Sequence, residues 1–306
     1  MSKRRIDTHH HVVPPFYRDW LMGLGLDACG MPIPKWDPQT DLALLDELEI
    51  ETAILNVSVP GVGPAATVAE ARSMARRLNE YSADIARDHP GRYGFFTTLM
   101  LPDVEGSLEE LAYSFDELKA DGVVLCANSE GVYLGDGSLD ALFDELQRRK
   151  ASVFIHPSAL PGPGIPGIPP YVADFLLDSV RAVVNLTRSG TMDRCPDIKM
   201  FLCHGGGFLP FAATRLSLFT VPGATLTETE ASLKRFYLDS ALAASEYALP
   251  STVAWALEDH LTFGSDYPYA TVDQVRLFTS NLDAYEGIDH AAVNRLNAAR
   301  VFPRLA

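Results

Sequence analysis

Two periodicities alternate along the chain. Short runs rich in β-branched and aromatic residues lie at 5–10, 52–58, 93–99, 122–127, 152–156, 199–204, 236–240 and 261–265. Longer stretches follow them, with apolar residues every three or four positions, at 41–48, 67–88, 108–120, 139–149, 172–189, 209–219, 245–259, 272–282 and 289–299. The first pattern predicts strands and the second amphipathic helices. Stretch 67–88 shows the helical stripe best, with Ala71, Met74, Leu78, Tyr81 and Ile85 on one face. The strand runs are almost continuously apolar, as in a parallel sheet covered on both sides. Eight such units predict an α/β fold, a (β/α)8 TIM barrel with long loops at its C-terminal face, as one domain over residues 1–306. An open, doubly wound sheet would carry a glycine-rich phosphate turn after strand one. Histidines stand there instead. Residues 12–36 and "SALPGPGIPGIPP" at 158–170 read as loops over the mouth, the second stiffened by its prolines.

Candidate chemistry gathers at the strand ends. Strand one ends in His9, His10 and His11, strand five in His156, strand six in His204, and strand eight in "GSDYP" with Asp266. In a parallel barrel these ends surround one mouth. Residues i and i+2 of a strand point the same way, so His9 and His11 face the axis and His10 faces the helix layer. A purification-tag remnant would explain the histidine run but none of the later donors. Any one of these residues alone is a common structural feature; a His at a strand end is usually just hydrogen-bonded. The joint pattern points to a metal. Three neutral imidazoles and one carboxylate suit Zn²⁺, with Mn²⁺ among the alternatives. Strand four runs into "GVVLCAN", and no lysine ends strand four or five, so a carbamylated bridge between two ions has no source. One divalent metal is expected.

Charge and cysteines narrow the partners. The net charge of −15 disfavours nucleic acid and anionic membranes. It leaves room for a small-molecule carboxylic acid, because a local cation outweighs a distant, screened field. No apolar run reaches the ~18 residues of a membrane span, and the N-terminus has no secretory pattern. Cys29, Cys126, Cys195 and Cys203 form no C-x-x-C pair, which fits reduced thiols and a cytoplasmic location.

His9-x-His11, His156, "HGGGFLP" at 204–210 and "GSDYP" at 264–268 together resemble the amidohydrolase superfamily. Within it they are similar to the mononuclear metal-dependent decarboxylases, the branch of aminocarboxymuconate semialdehyde and 6-methylsalicylate decarboxylases. "PGRYGFFTTLMLPDVEGSLEEL", "DGVVLCANSEGVYLGD" and "SGTMDRCPDIKMFLCHGGGFLP" look like that branch too, so the resemblance spans nearly the whole chain. It implies metal ligands His9, His11, His156 and Asp266, with His204 beside the ion as the acid–base residue. It also implies that Arg215, eleven residues after His204, binds substrate carboxylate in a neighbouring subunit, and hence a homodimer. No counterpart of the branch's second substrate arginine ends strand two, where Asn56 and Ser58 stand, so a monocarboxylate is favoured.

The implied reaction is non-oxidative decarboxylation of a small aromatic or conjugated acid, with His204 or Asp266 moving the proton. The same ligands suit metal-assisted hydrolysis of a lactone, ester or amide. A metal-binding scaffold without activity is the third reading, and the presence of both His204 and Asp266 speaks against it. Trp20, Trp36, Asn56 and Tyr267, with Phe16, Tyr17 and Tyr133, are expected to shape the substrate walls, although loops of this length also need aromatics simply to pack.

Overall fold

The computed structural model describes residues 4–306. Among them, β1 (Arg5–His11), β2 (Ile50–Asn56), β3 (Tyr93–Thr98), β4 (Gly122–Cys126), β5 (Ser152–His156), β6 (Lys199–Leu202), β7 (Tyr237–Asp239) and β8 (Leu261–Thr262) form one parallel sheet in sequence order. The last seam closes it. The Thr8 N–H donates to Phe263 O at 3.0 Å, and the Asp266 N–H to His9 O at 2.8 Å. The fold is a (β/α)8 barrel.

The helices are α1 (Pro15–Gly23), α2 (Pro38–Glu47), α3 (Val68–Asp88), α4 (Val104–Asp116), α5 (Asp140–Arg149), α6 (Asp174–Arg188), α7 (Thr191–Arg194), α8 (Leu209–Phe219), α9 (Leu226–Leu233), α10 (Ala248–Trp255), α11 (Val272–Ala284) and α12 (Asn297–Val301). Local chemistry starts several of them. Thr67 caps α3 through the Glu70 N–H, and Thr271 and Gln274 form a capping box on α11. None of the described helices is long and apolar enough to cross a membrane.

Two expectations need correction. The segment 12–36 is not all loop, because α1 occupies Pro15–Gly23. Pro15 opens it at a position where a missing N–H costs nothing, and Tyr17 and Leu21, one turn apart, are both buried. Helices α7 and α9 are likewise not predicted by apolar periodicity, although in α9 Thr225 and Glu228 form a capping box whose signature, "TLTE", is present in the chain.

One end of the barrel is plugged. Ile6, Ile54, Phe96, Phe154 and Phe201 fill the interior and pack on Phe302 and Leu305 from the C-terminus. A Cβ on Gly94, at the start of β3, would come within 2.6 Å of Leu305, so the plug sits at the strand N-termini. Only the C-terminal mouth is left for chemistry. In β1 the register slips between Asp7 and His10. The slip lets Ile6 join the interior cluster while the His9 ring lies 4.9 Å above Phe154.

His10 points outward and ties β1 to the helix layer. Its Nδ1 lies 3.0 Å from Asp7 Oδ2 and its Nε2 2.8 Å from Asp41 Oδ1 on α2. The Tyr93 hydroxyl donates to the other Asp41 oxygen. All four side chains are buried. Burial opposes a charged ring, but Asp41 and Asp7 outweigh it and raise the pKa to about 10, so His10 is an imidazolium between two carboxylates. Asp41→Ala should therefore lower stability in urea by about 3–5 kcal/mol, the range for breaking a buried ion pair. Tyr93→Phe, which leaves the pair intact, should cost only about 1 kcal/mol.

All four cysteines are free. Burial pushes Cys29 up to about 11 and Cys126 up to about 12, and it raises Cys195 and Cys203 as well. Thiolates form as pH rises towards these values. Native protein should therefore react slowly with iodoacetamide near pH ~8 and faster near pH ~11, while unfolded thiols react fully at the lower pH, close to their usual pKa.

Candidate metal centre

The donors predicted at four strand ends converge. His9 Nε2 and His11 Nε2 are 3.1 Å apart, and Asp266 Oδ1 lies 3.1 Å from the first and 2.9 Å from the second. Donor atoms of His9, His156, His204 and Asp266 all fall within 4.8 Å of one another. The structure thus places all five residues at one point.

The hydrogen bonds around the cluster set which nitrogens face it. His9 Nδ1 lies 2.7 Å from Asp239 Oδ2, and His156 Nδ1 lies 2.8 Å from Pro157 O. A carbonyl or carboxylate can only accept, so both Nδ1 atoms carry protons, and Nε2 is the nitrogen through which each ring would meet a cation. Asp239 Oδ1 also accepts from the His204 and Ala241 N–H groups, at 2.9 and 3.0 Å. The Nδ1 atoms of His11 and His204 are buried without a partner. The donor chemistry of the clustered imidazole and carboxylate atoms fits a divalent ion.

Backbone geometry holds the donors there. His204 and Asp266 have φ of 54° and 62°, in the left-handed region. Such residues cost about 1–3 kcal/mol each and persist only when their surroundings dictate them. Gly264 has to be glycine, since a Cβ would lie 2.9 Å from His9 Cβ and 3.1 Å from Asp239 Cβ. Gly207 (φ 62°) would place a Cβ 2.5 Å from Leu176 O.

A cavity of about 290 Å3 opens above the cluster. His156, His204 and Asp266 form its inner end, and Ser58, Val59, Phe175 and Tyr269 are among its walls. No lysine or arginine lines it among the described residues.

The amidohydrolase family profile matches residues 6–304. The chain belongs to the amidohydrolase family. This amidohydrolase is 36% identical to the decarboxylase macB of Penicillium terrestre, over 98% of its own length and 95% of that protein. It is 34% identical to the 6-methylsalicylic acid decarboxylase of Penicillium expansum, over 98% and 97% of the two chains. Among solved structures, an amidohydrolase II superposes with a TM-score of 0.91 at 26% identity, over 98% of this chain and 99% of that one. A 5-carboxyvanillate decarboxylase of Novosphingobium aromaticivorans, solved with manganese and 4-hydroxy-3-methoxy-5-nitrobenzoic acid, has a TM-score of 0.85 at 23% identity, over 98% and 96%. That last likeness is one of fold.

The electrostatics of the amidohydrolase site follow from its two carboxylates. Burial works against a charged His9, but Asp239 and Asp266 outweigh it and raise its pKa. Burial also works against the Asp266 charge, yet the His9 and His11 rings hold its carboxyl well below the usual range. His156 and His204 are lowered by burial and stay neutral. The two carboxylates around His9 favour positive charge there, which a bound divalent cation would supply in place of the ring's second proton.

The expected substrate walls lie elsewhere. Asn56 donates its amide to His10 O at 3.0 Å, and Tyr267 packs on the outer face of His10. Trp36 is buried against Tyr81, and Trp20 donates to Glu70 at 3.0 Å. Phe16 also packs on Tyr81, the Tyr17 hydroxyl donates to Gly61 O, and the Tyr133 hydroxyl donates to Asp178. Arg215 is exposed on α8, 5.8 Å above the Phe219 ring. None of these residues lines the cavity. Local pattern does not reveal this, because each is consumed by a partner distant in sequence or left on the surface. Sequence reasoning alone does not assign Tyr269 or Asp239 to the site. Asp239 ends β7, so the rule that singles out the other strand ends applies to it as well. Asp239→Asn should weaken Zn²⁺ binding about 10–100-fold in competition with a chelator dye, the usual effect of losing a carboxylate behind a ligating imidazole. Unaltered affinity would show that His9 needs no orientation.

Proposed function

We propose that this amidohydrolase is a divalent-metal-dependent decarboxylase of a small hydroxybenzoate of the 6-methylsalicylate type. The observation that carries the reading is the cavity: a largely apolar space with the imidazole–carboxylate cluster at its inner end and no cationic side chain among the described residues. A single aromatic ring bearing one carboxylate fits it. The curated relatives that match over nearly the full length support the chemistry, since they are decarboxylases and two of them act on 6-methylsalicylic acid.

His9, His11, His156 and Asp266 would hold the ion, with His204 beside it. Zn²⁺ suits this donor set, and Mn²⁺ is the alternative present in the carboxyvanillate enzyme. When bound, the ion supplies Lewis-acid polarisation of the substrate carboxylate and hydroxyl.

The chain's own groups do the rest. Ser58 Oγ is buried without a partner in the same wall as Tyr269, so both hydroxyls can orient the substrate's polar edge. Phe175 and Val59 confine the ring and exclude water. When the bond to the carboxylate carbon breaks, its electron pair stays on the ring carbon and CO₂ leaves. That carbon needs a proton. Asp266 and His204 border the cavity and carry it from the substrate hydroxyl to the ring.

We further propose a cytoplasmic homodimer. Helix α8 exposes Phe211 at 88% and Phe219 at 71%, with Arg215 between them. A second copy covering this face would bury the rings and bring Arg215 to the neighbouring cavity, which lacks a cation of its own.

Chelator treatment should abolish CO₂ release from 6-methylsalicylate, and Zn²⁺ or Mn²⁺ should restore it. His204→Ala should keep its metal by elemental analysis but lose about 10²–10⁴ in kcat. Unchanged turnover would remove His204 from proton transfer. Acid release from lactones without CO₂ from any hydroxybenzoate would assign the site to hydrolysis instead.

A further inference from the structure

A second cavity, of about 670 Å3, lies beside the metal cavity at the same end of the barrel. Thr98 and Cys126, at the ends of β3 and β4, line it. Cys126 is the register partner of His156, so the two cavities start at the same level of the sheet. Two backbone segments separate them. Val57 and Cys29 face the second cavity, while Ser58, Ala28 and Met31 face the metal. Val59 lines both, and no other described residue does.

Two polar side chains of the second cavity, Asn128 and Ser158, are already engaged. Asn128 Nδ2 donates to Ser158 Oγ, Ala159 O and Asp178 Oδ1 at 2.8, 3.1 and 2.9 Å, and Asn128 Oδ1 accepts from the Gly131 N–H at 3.2 Å. The Ser158 hydroxyl donates to Asn128 O at 3.0 Å. Glu130 is exposed, and no lysine or arginine lines the space among the described residues. The rest of the wall is mostly apolar, with Leu26, Val62, Leu99, Leu101, Leu125 and Leu160 beside Thr98, Ser129 and the thiols of Cys29 and Cys126. Such a space recognises hydrocarbon and little else.

We propose that the second cavity is the subsite for an apolar ring substituent, and that Val59 sets how readily a substituent longer than methyl enters it. The inference rests on the decarboxylase reading above and names its substrate class as alkyl-substituted salicylates. The carboxylate and hydroxyl stay at the metal centre, the ring fills the smaller cavity, and the chain passes Val59 into the larger one. The reaction balances as before: the aryl–carboxylate bond breaks, CO₂ leaves, the ring carbon takes the hydroxyl proton, and the resulting 3-alkylphenolate takes a proton from water to leave as the 3-alkylphenol.

The test is a series of 6-alkylsalicylates, from methyl through propyl and pentyl to heptyl, with metal-loaded enzyme. Full burial of a methylene tightens binding about fourfold, so KM should fall along the series while kcat stays level. Leu160→Trp fills the second cavity and should raise KM for the heptyl acid about tenfold or more, with the methyl acid within about twofold. Should that variant fail to fold, Leu26→Trp, at a loop position already 39% exposed, replaces it. Val59→Ala should lower KM for the heptyl acid further. A KM that rises with chain length in both wild type and Val59→Ala, or a heptyl KM untouched by either tryptophan, overturns the proposal. Calorimetric binding of 3-heptylphenol to chelator-treated protein separates the subsite from the decarboxylase reading. If no acid releases CO₂ but 3-heptylphenol still binds more tightly to wild type than to Leu160→Trp, the decarboxylase reading fails and the subsite stands. If 6-methylsalicylate is turned over and the heptyl compounds show no preference for the open cavity, the subsite fails alone.

Discussion

The carboxylate of Asp239 has no contact with solvent, and the barrel mouth is organised around its need for hydrogen bonds. An unpaired charge in that position would cost several kcal/mol, so three donors surround it: the His9 ring and the backbone N–H groups of His204 and Ala241. One residue thereby couples β1, β7 and the loop after β6. It sets the tautomer of His9, and through that the direction of the lone pair that faces the cluster. The charge of Asp266 lies on the other side of the same ring. Two buried carboxylates flanking one imidazole create a place where positive charge is stabilised, and the remaining histidines stay neutral enough to act as ligands.

This electrostatic arrangement needs an unusual backbone. His204 and Asp266 sit in left-handed conformations, and the three glycines after His204 also have positive φ. Regular strand geometry would carry these side chains past the axis instead of onto it. The parallel sheet below is closed at its N-terminal end by Phe302 and Leu305. On the outer side of β1, the same histidine run acts as a fastening. His10, clamped between Asp7 and Asp41, holds the strand to α2. Three consecutive imidazoles therefore have two roles, divided by which side of the strand each one faces.

Above the donors, the mouth is divided into two apolar chambers by the segments around Ala28 and Val59. The smaller one holds the unsatisfied hydroxyl of Ser58, and in the larger Asn128 and Ser158 are paired internally. Polar recognition is thus concentrated beside the metal centre, and apolar recognition extends away from it.

The barrel and the donor set are legible from the chain alone because both depend on local, repeated signals. Strand and helix periods give eight units, and a donor at a strand end is visible wherever the strand is. That reasoning reaches His9, His11, His156, His204 and Asp266, and extended to β7 it also reaches Asp239. Helix α1 escapes it because a single turn-to-turn apolar pair in a proline-bearing segment resembles loop packing. The substrate walls cannot be read this way at all. Trp20, Trp36, Asn56 and Tyr267 have suitable side chains, but each is bound by a residue from a distant part of the chain, while the cavity is lined by Ser58, Val59, Phe175 and Tyr269 from three separate segments. Periodicity determines which face of an element a residue occupies. Which neighbour then claims that side chain is settled only when loops close over the sheet, because burial and hydrogen-bond pairing are properties of the packed whole.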